Sequence, residues 1–173
     1  MSNFKERVIR AAKLDVNLYE EVEADKTAMS QAMVVVLLSS LAAGIGSASM
    51  GGRNLIVVTI GALAGWYIWA YLTYFIGTKL LAETQTEADH GQLLRTIGFS
   101  SSPGLIRILG IIPGFTNLVF SVTGIWMLIS MVIAVRQALD YTSTLRALGV
   151  CFIGWLIQSI FVGFLLLFAR GGA

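Results

Sequence analysis

The chain is short of the residues that most protein chemistry uses. It has 1 Cys and 1 His in 173 residues, so a disulfide framework, a thiolate cluster and a histidine-rich metal centre all lack their parts. Charged residues make up only 13% against 56% hydrophobic, and the mean hydropathy is +0.78, which is far from the composition of a soluble domain. The 12 Lys+Arg and 10 Asp+Glu leave a net charge of +2, too small a surplus for a nucleic-acid footprint. Carboxylates are missing from every long apolar run; they cluster between Glu6 and Asp25, between Glu83 and Asp89, and at Asp140. A carboxylate relay for protons across a bilayer is therefore excluded. No G-x-S-x-G, H-E-x-x-H, C-x-x-C, Walker or dinucleotide glycine loop occurs, so no enzyme class, cofactor or metal is signalled, and we expect none.

What is present is long apolar runs. Ala28 to Met50 carries no charge and is long enough to cross a hydrocarbon core of about 30 Å at about 1.5 Å per residue. Gly51, Gly52, Arg53 and Asn54 read as a tight turn, after which Leu55 to Ala82 forms a second run charged only at Lys79. Glu83 to Arg95 is polar and reads as an aqueous loop with a short helix capped by Thr86. Thr96 to Pro113 is apolar again, but Gly98, the SSSPG run, Pro103, Gly110 and Pro113 argue against a straight helix. Phe115 to Val135 and Leu145 to Ala169 complete the set, the last capped by Thr142 or Ser143. The expected fold is an all-α polytopic bundle of five spans, or four if the broken segment dips in and returns. It divides into an arm at residues 1–27 and a single transmembrane domain at 28–170.

Basic residues favour the cytoplasmic side of short loops. Lys5, Arg7, Arg10, Lys13 and Lys26 in the arm put the N-terminus in the cytoplasm under either span count, and the charges of the arm do not read as a cleavable leader. Phe4, Val8, Ala11, Leu18 and Val22 fall on one stripe at 100° per residue, broken by Asp15, so the arm is expected to be an amphipathic helix at the membrane interface or a topology signal.

Several stretches together resemble the bacterial branch of the Yip domain family: LDVNLYEEVEADKTAMSQA, WYIWAYLTYFIGTKL, the R-T-I-G-F and S-P-G unit from Arg95 to Gly104, and A-V-R-Q-A-L-D from Ala134 to Asp140. The resemblance runs from about Leu14 onward. It implies five spans, a cytoplasmic N-terminus and a bacterial inner membrane, without an activity. Eukaryotic members of the family work with small Rab-type GTPases and carry an Asp-Leu-Tyr-Gly-Pro element. Here Asp15, Leu18 and Tyr19 are followed by Glu20 and Glu21 where Gly-Pro would stand, so a GTPase partner is not implied.

Among single residues Arg107 is the sharpest, because a guanidinium in an apolar run is costly unless it is paired, faces a cavity or snorkels. It suits an anion. Arg136 and Asp140, spaced as a helical i, i+4 pair, suit a docking patch or a charged helix end. Asn117 and Gln158 suit hydrogen bonds between spans, and the aromatics Trp66, Tyr67, Trp69, Tyr71, Tyr74, Trp126 and Trp155 suit packing or a cavity. His90, a lone histidine among carboxylates, is a poor metal ligand. Ser40, Gly44 and Ala48 on the first span, and Gly61 and Gly65 on the second, mark faces for close helix contact within the chain or with another. The expected role is a non-catalytic scaffold or accessory subunit whose partners are the bilayer, other membrane chains or a second copy. A small channel or transporter, with the broken segment and Arg107 in its path, is the alternative.

Overall fold

The computed structural model describes residues 3–48 and 55–171, with side chains at 3–48 and 59–160. Helices account for all the regular structure among these residues: α1 (Phe4–Ala12), α2 (Val16–Ala24), α3 (Ala28–Gly46), α4 (Leu55–Phe75) with a π turn at Ile76–Leu80, α5 (His90–Ser100), a 3-10 helix at Ser102–Ile111, α6 (Thr116–Ala138) and α7 (Thr144–Gly171). Three stretches are long and apolar enough to cross a membrane: Ala28–Gly46, Thr59–Leu80 and Thr116–Ala138. Only 39%, 22% and 28% of their apolar windows is buried inside the protein. Side chains such as Ile60, Ile68, Leu118 and Ile125 therefore face outward, as lipid-facing helices require and as an aqueous surface would penalise. The protein is a membrane protein.

The segment with both prolines behaves as its residues dictate. α5 stops at Ser100, before Pro103, and the chain continues for ten residues as a 3-10 helix with that proline at its start. This is long for 3-10 geometry. It ends as Ile112 goes extended before Pro113, and Gly114 turns the chain at φ 85, a conformation that suits only glycine without strain. α5 thus stops before Pro103, and the 3-10 helix stops before Pro113.

Backbone approaches give the direction of this segment. A Cβ on Gly98 would meet Ala32, one on Gly104 would meet Ser39, and one on Gly46 would meet the Arg107 carbonyl. The contacts advance along both chains together, so α5 and the 3-10 helix run parallel to α3, from its first turn to its last. At about 1.5 Å per α residue and about 2.0 Å per 3-10 residue, the pair is about as long as α3 and more.

The polar loop differs from expectation at its cap. Thr86 does not start a helix: its hydroxyl accepts from the Glu83 N–H at 2.9 Å in a local turn. Asp89 caps α5 instead, taking the Gln92 N–H while the Gln92 side chain takes that of Asp89, the reciprocal box that a residue pair three apart provides. The expected turn at Gly51, Gly52, Arg53 and Asn54 lies outside the described residues, as does the side chain of Arg170.

The arm is two helices rather than one. Leu14, at φ 62, breaks it just before Asp15, which caps α2. The stripe read as a membrane face is covered largely by protein: Ala11, Leu18 and Val22 are buried, beside Tyr19, with Ala28, Ala32, Val35, Phe99 and Ala134, and Phe4 and Val8 are partly buried against the same cluster. Periodicity had located the stripe correctly, but it cannot distinguish lipid from another helix as the covering surface.

Candidate functional site

Two places in the bundle concentrate polar chemistry. The first is the end that carries the arm and both polar loops. Arg7 is 4% exposed and donates to Glu21 at 3.0 Å, to Asp25 at 2.7 Å and to Gln31 at 3.0 Å, tying α1 to α2 and α3. Burial works against its charge, yet the hydrogen bonds it donates to Asp25 and Glu21 leave its pKa raised. Arg10 reaches Asp15 at 2.7 Å and Glu21 at 2.6 Å. Arg95 donates from α5 to the carbonyls of Val22 and Glu23, occupying acceptors that the end of α2 leaves open. Gln137 on α6 donates to Glu20 at 2.8 Å.

The two loops are joined to each other in the same way. The Glu83 carboxylate accepts from the Thr142 N–H at 3.0 Å and its hydroxyl at 2.8 Å, and from the Ser143 N–H at 3.4 Å. These bonds, with the backbone donor of Thr142 first among them, hold its pKa down at about 2. Arg146 stands 3.4 Å from the same carboxylate. The Tyr141 hydroxyl donates to the carbonyls of Gly77 and Leu81, which the π turn leaves accessible. Beside this end Glu20, Glu23, Glu87, Asp89 and Asp140 gather. Burial, then Asp140, Glu20 and Asp89, push the Glu23 pKa up to about 7 against the pull of Arg95.

Here the expected pair fails. Arg136 and Asp140 are not ion-paired among the described residues, because α6 ends at Ala138 and Asp140 takes a left-handed φ of 52. Arg136 instead ties the following turn to α6 by donating to the carbonyls of Tyr141 and Thr142, and the Asp140 carbonyl accepts from Gln85.

The second place lies between the helices and is open on one side. A cavity of about 350 Å³ is lined by Ser39, Ser40 and Ala43 of α3, Gly65, Trp66 and Trp69 of α4, Ser101, Met127, Gln158 and Arg107, among others. The Arg107 guanidinium donates from Nε to the Thr123 hydroxyl at 3.1 Å and lies 5.3 Å from the centre of the Phe120 ring. None of the ten carboxylates pairs with it among the described residues. A second, apolar cavity of about 490 Å³ is lined by Gly124, Leu128, Leu148, Cys151, Phe152 and Trp155, and shares Trp69, Met127 and Met131 with the first. The Trp69 indole N–H is buried with no hydrogen-bond partner among the described residues, which no sequence pattern signals.

The small residues divide between these places. Ser40 and Gly65 line the first cavity. Added Cβ atoms on Gly61 and Gly65 would meet nothing within 4 Å among the described residues, so neither makes a close helix contact with them. Gly44 is half-buried and Ala48 exposed. The tight approaches fall at Gly46, Gly77, Gly98 and Gly104 instead. Asn117 is exposed and makes no cross-helix hydrogen bond among the described residues, and Gln158 makes none either. Trp66 and Trp126 pack inward and donate to the carbonyls of Leu94 and Ala12, whereas Tyr67, Tyr71 and Trp155 are more than half exposed. Tyr67, Tyr71 and Tyr74 surround the His90 ring edge-on, at 4.9, 5.8 and 6.4 Å. No group of three metal-ligating side chains forms among the described residues.

Comparison with known proteins bears on the whole arrangement. A family model described as the Yip1 domain matches residues 19–167, from within α2 to within α7. No curated protein and no solved structure matches the chain.

Proposed function

As this chain belongs to the Yip1 domain family, we propose that it works as a non-catalytic scaffold or accessory subunit of a bacterial inner membrane, holding other membrane chains or a second copy of itself. The carrying observation is the arm end. Arm, polar loop and α6–α7 turn are bonded into one ordered polar face through Arg7, Arg95, Gln137 and Glu83. An ordered face without catalytic side chains suits recognition more than reaction. The five-span topology belongs to the same proposal. It is supported by the parallel course of α3 and the 3-10 segment, and the basic residues of the arm support a cytoplasmic position for this face. A GTPase partner is not part of the reading.

The second reading is a small channel or transporter. It is favoured by the interrupted third segment and by Arg107 at the first cavity, since discontinuous helices line solute sites in transporters. The experiment is gentle extraction from the native membrane, followed by sizing of the particle with and without Glu87→Lys on the exposed arm end. A particle larger than one chain that shrinks in the variant is the expected result. A lone chain whose liposomes pass solute, with flux abolished by Arg107→Ala, would replace the scaffold with the transporter.

A further inference from the structure

Arg107 poses a problem that the scaffold reading does not solve. A guanidinium carries five donors, and among the described residues this one has a protein acceptor at Nε alone, from Thr123. Its remaining charge is turned to a cavity walled by Ser39, Ser40, Ser101, Gln158 and the Trp69 indole. A cation at a cavity that holds no carboxylate is a donor awaiting an anion. A small free anion would leave the neighbouring apolar cavity unexplained. That cavity shares the Trp69, Met127 and Met131 wall, and its other residues Leu128, Phe152 and Trp155 are 55%, 62% and 59% exposed, on surface that faces lipid. The two spaces are thus polar and apolar halves side by side, each within the usual range of about 300 to 1,000 Å³ for ligand sites.

We propose that the paired cavities hold one anionic phospholipid, its phosphate on Arg107 and an acyl chain along Met127, Met131 and Phe152. The missing side chain of Gly65 makes the room for the head, since an added Cβ there meets nothing among the described residues. The small residues of α4 then serve a ligand rather than a helix. The inference needs only membrane insertion and stands apart from the scaffold reading.

The test is native mass spectrometry of the purified full chain in mild detergent, titrated with phosphatidylglycerol, phosphatidylcholine or sodium phosphate. One phosphatidylglycerol retained per chain is expected, with phosphatidylcholine at least tenfold weaker and phosphate not displacing the lipid at millimolar concentration. Arg107→Gln should lower occupancy at least tenfold. Gly65→Leu, which fills the space and leaves the guanidinium untouched, should do the same, and Gly61→Leu should not. Size exclusion and thermal melting of each variant identify any that fails to fold. Equal retention of the two lipids overturns the proposal, as does full occupancy in folded Gly65→Leu. Displacement by phosphate alone overturns the lipid in favour of the free ion. Because the readout is on the isolated chain, a failure here leaves the particle size in native membranes untouched, and the converse also holds.

Discussion

The Tyr19 hydroxyl and the Ser130 hydroxyl share a hydrogen bond of 2.6 Å between two fully buried side chains 111 residues apart. It fixes α2 of the arm to the inner half of α6, in a core cluster with Phe99 and Ala134. Burial raises the Tyr19 pKa to about 12, so the phenol stays protonated and available to donate. Tyr19→Phe keeps the ring and leaves Ser130 without this partner, at an expected loss of about 1–2 kcal/mol. Tyr19→Ala also removes the ring, for about 3–5 kcal/mol. Denaturant unfolding in detergent measures both, and equal small losses would mean that the arm is not part of the core.

Arg7 should be the arm's most sensitive cation. It is buried, and it joins three elements through Glu21, Asp25 and Gln31. Removing it takes a buried charged donor from all three, although Glu21 keeps Arg10 and Asp25 keeps Thr27, so Arg7→Ala should cost about 1.5–3 kcal/mol. Lys5→Ala, on the exposed side of the same helix, should fall within about 0.5 kcal/mol of the parent. Hydrogen exchange of α1 reads the difference, and similar exchange in both variants would show that the ion pairs do not hold the arm.

Glu23 makes the stability of this end depend on pH in the opposite sense to Asp25. Its folded pKa is raised to about 7, so between the ordinary glutamate range and pH 7 the folded chain keeps a proton that the unfolded chain has lost. Stability therefore falls as pH rises through that window. Asp25 is held down at about 2 by the Thr27 hydroxyl and then by Arg7; its contribution is complete above the usual aspartate range and is lost as pH drops toward 2. The docked arm should be firmest between the two windows. Glu23→Gln should match the parent near pH 4.5 and exceed it increasingly up to pH 7, with the gain level beyond. The Trp126 indole, bonded to the Ala12 carbonyl, is a built-in fluorescence reporter. A gain that does not vary with pH would mean that Glu23 does not titrate differently on folding.

Much of this was legible in the residues. The uncharged runs gave the three long helices, because length and hydropathy alone decide whether a helix can cross lipid. Pro103 and Pro113 gave the interruption, because a ring without an N–H acts locally. What depended on tertiary placement was not legible. The stripe of Ala11, Leu18 and Val22 signalled an apolar surface, but nothing in it said that Phe99 and Ala134 would cover it. Arg136 and Asp140 had helical spacing, and only the end of α6 at Ala138 separated them. Gly61 and Gly65 matched a packing pattern that Gly46 and Gly104, embedded in less regular spacing, fulfil instead.

That last contrast gives a direct experiment on the helix contacts. A Cβ on Gly46 would lie 1.9 Å from the Arg107 carbonyl oxygen, and one on Gly98 would lie 2.7 Å from the Ala32 Cβ. Neither neighbour is the far end of a flexible side chain, so α3 and the broken segment must move apart. Gly46→Ala and Gly98→Ala should each cost about 1–3 kcal/mol. Gly61→Ala meets open space and replaces a poor helix former, so it should be neutral or gain up to about 1 kcal/mol in the isolated chain. If Gly61 faces another chain in the membrane, Gly61→Leu will weaken association while leaving the melting of the detergent-isolated chain unchanged. Loss of stability at Gly61 without loss at Gly46 would reverse the assignment of which glycines pack the bundle.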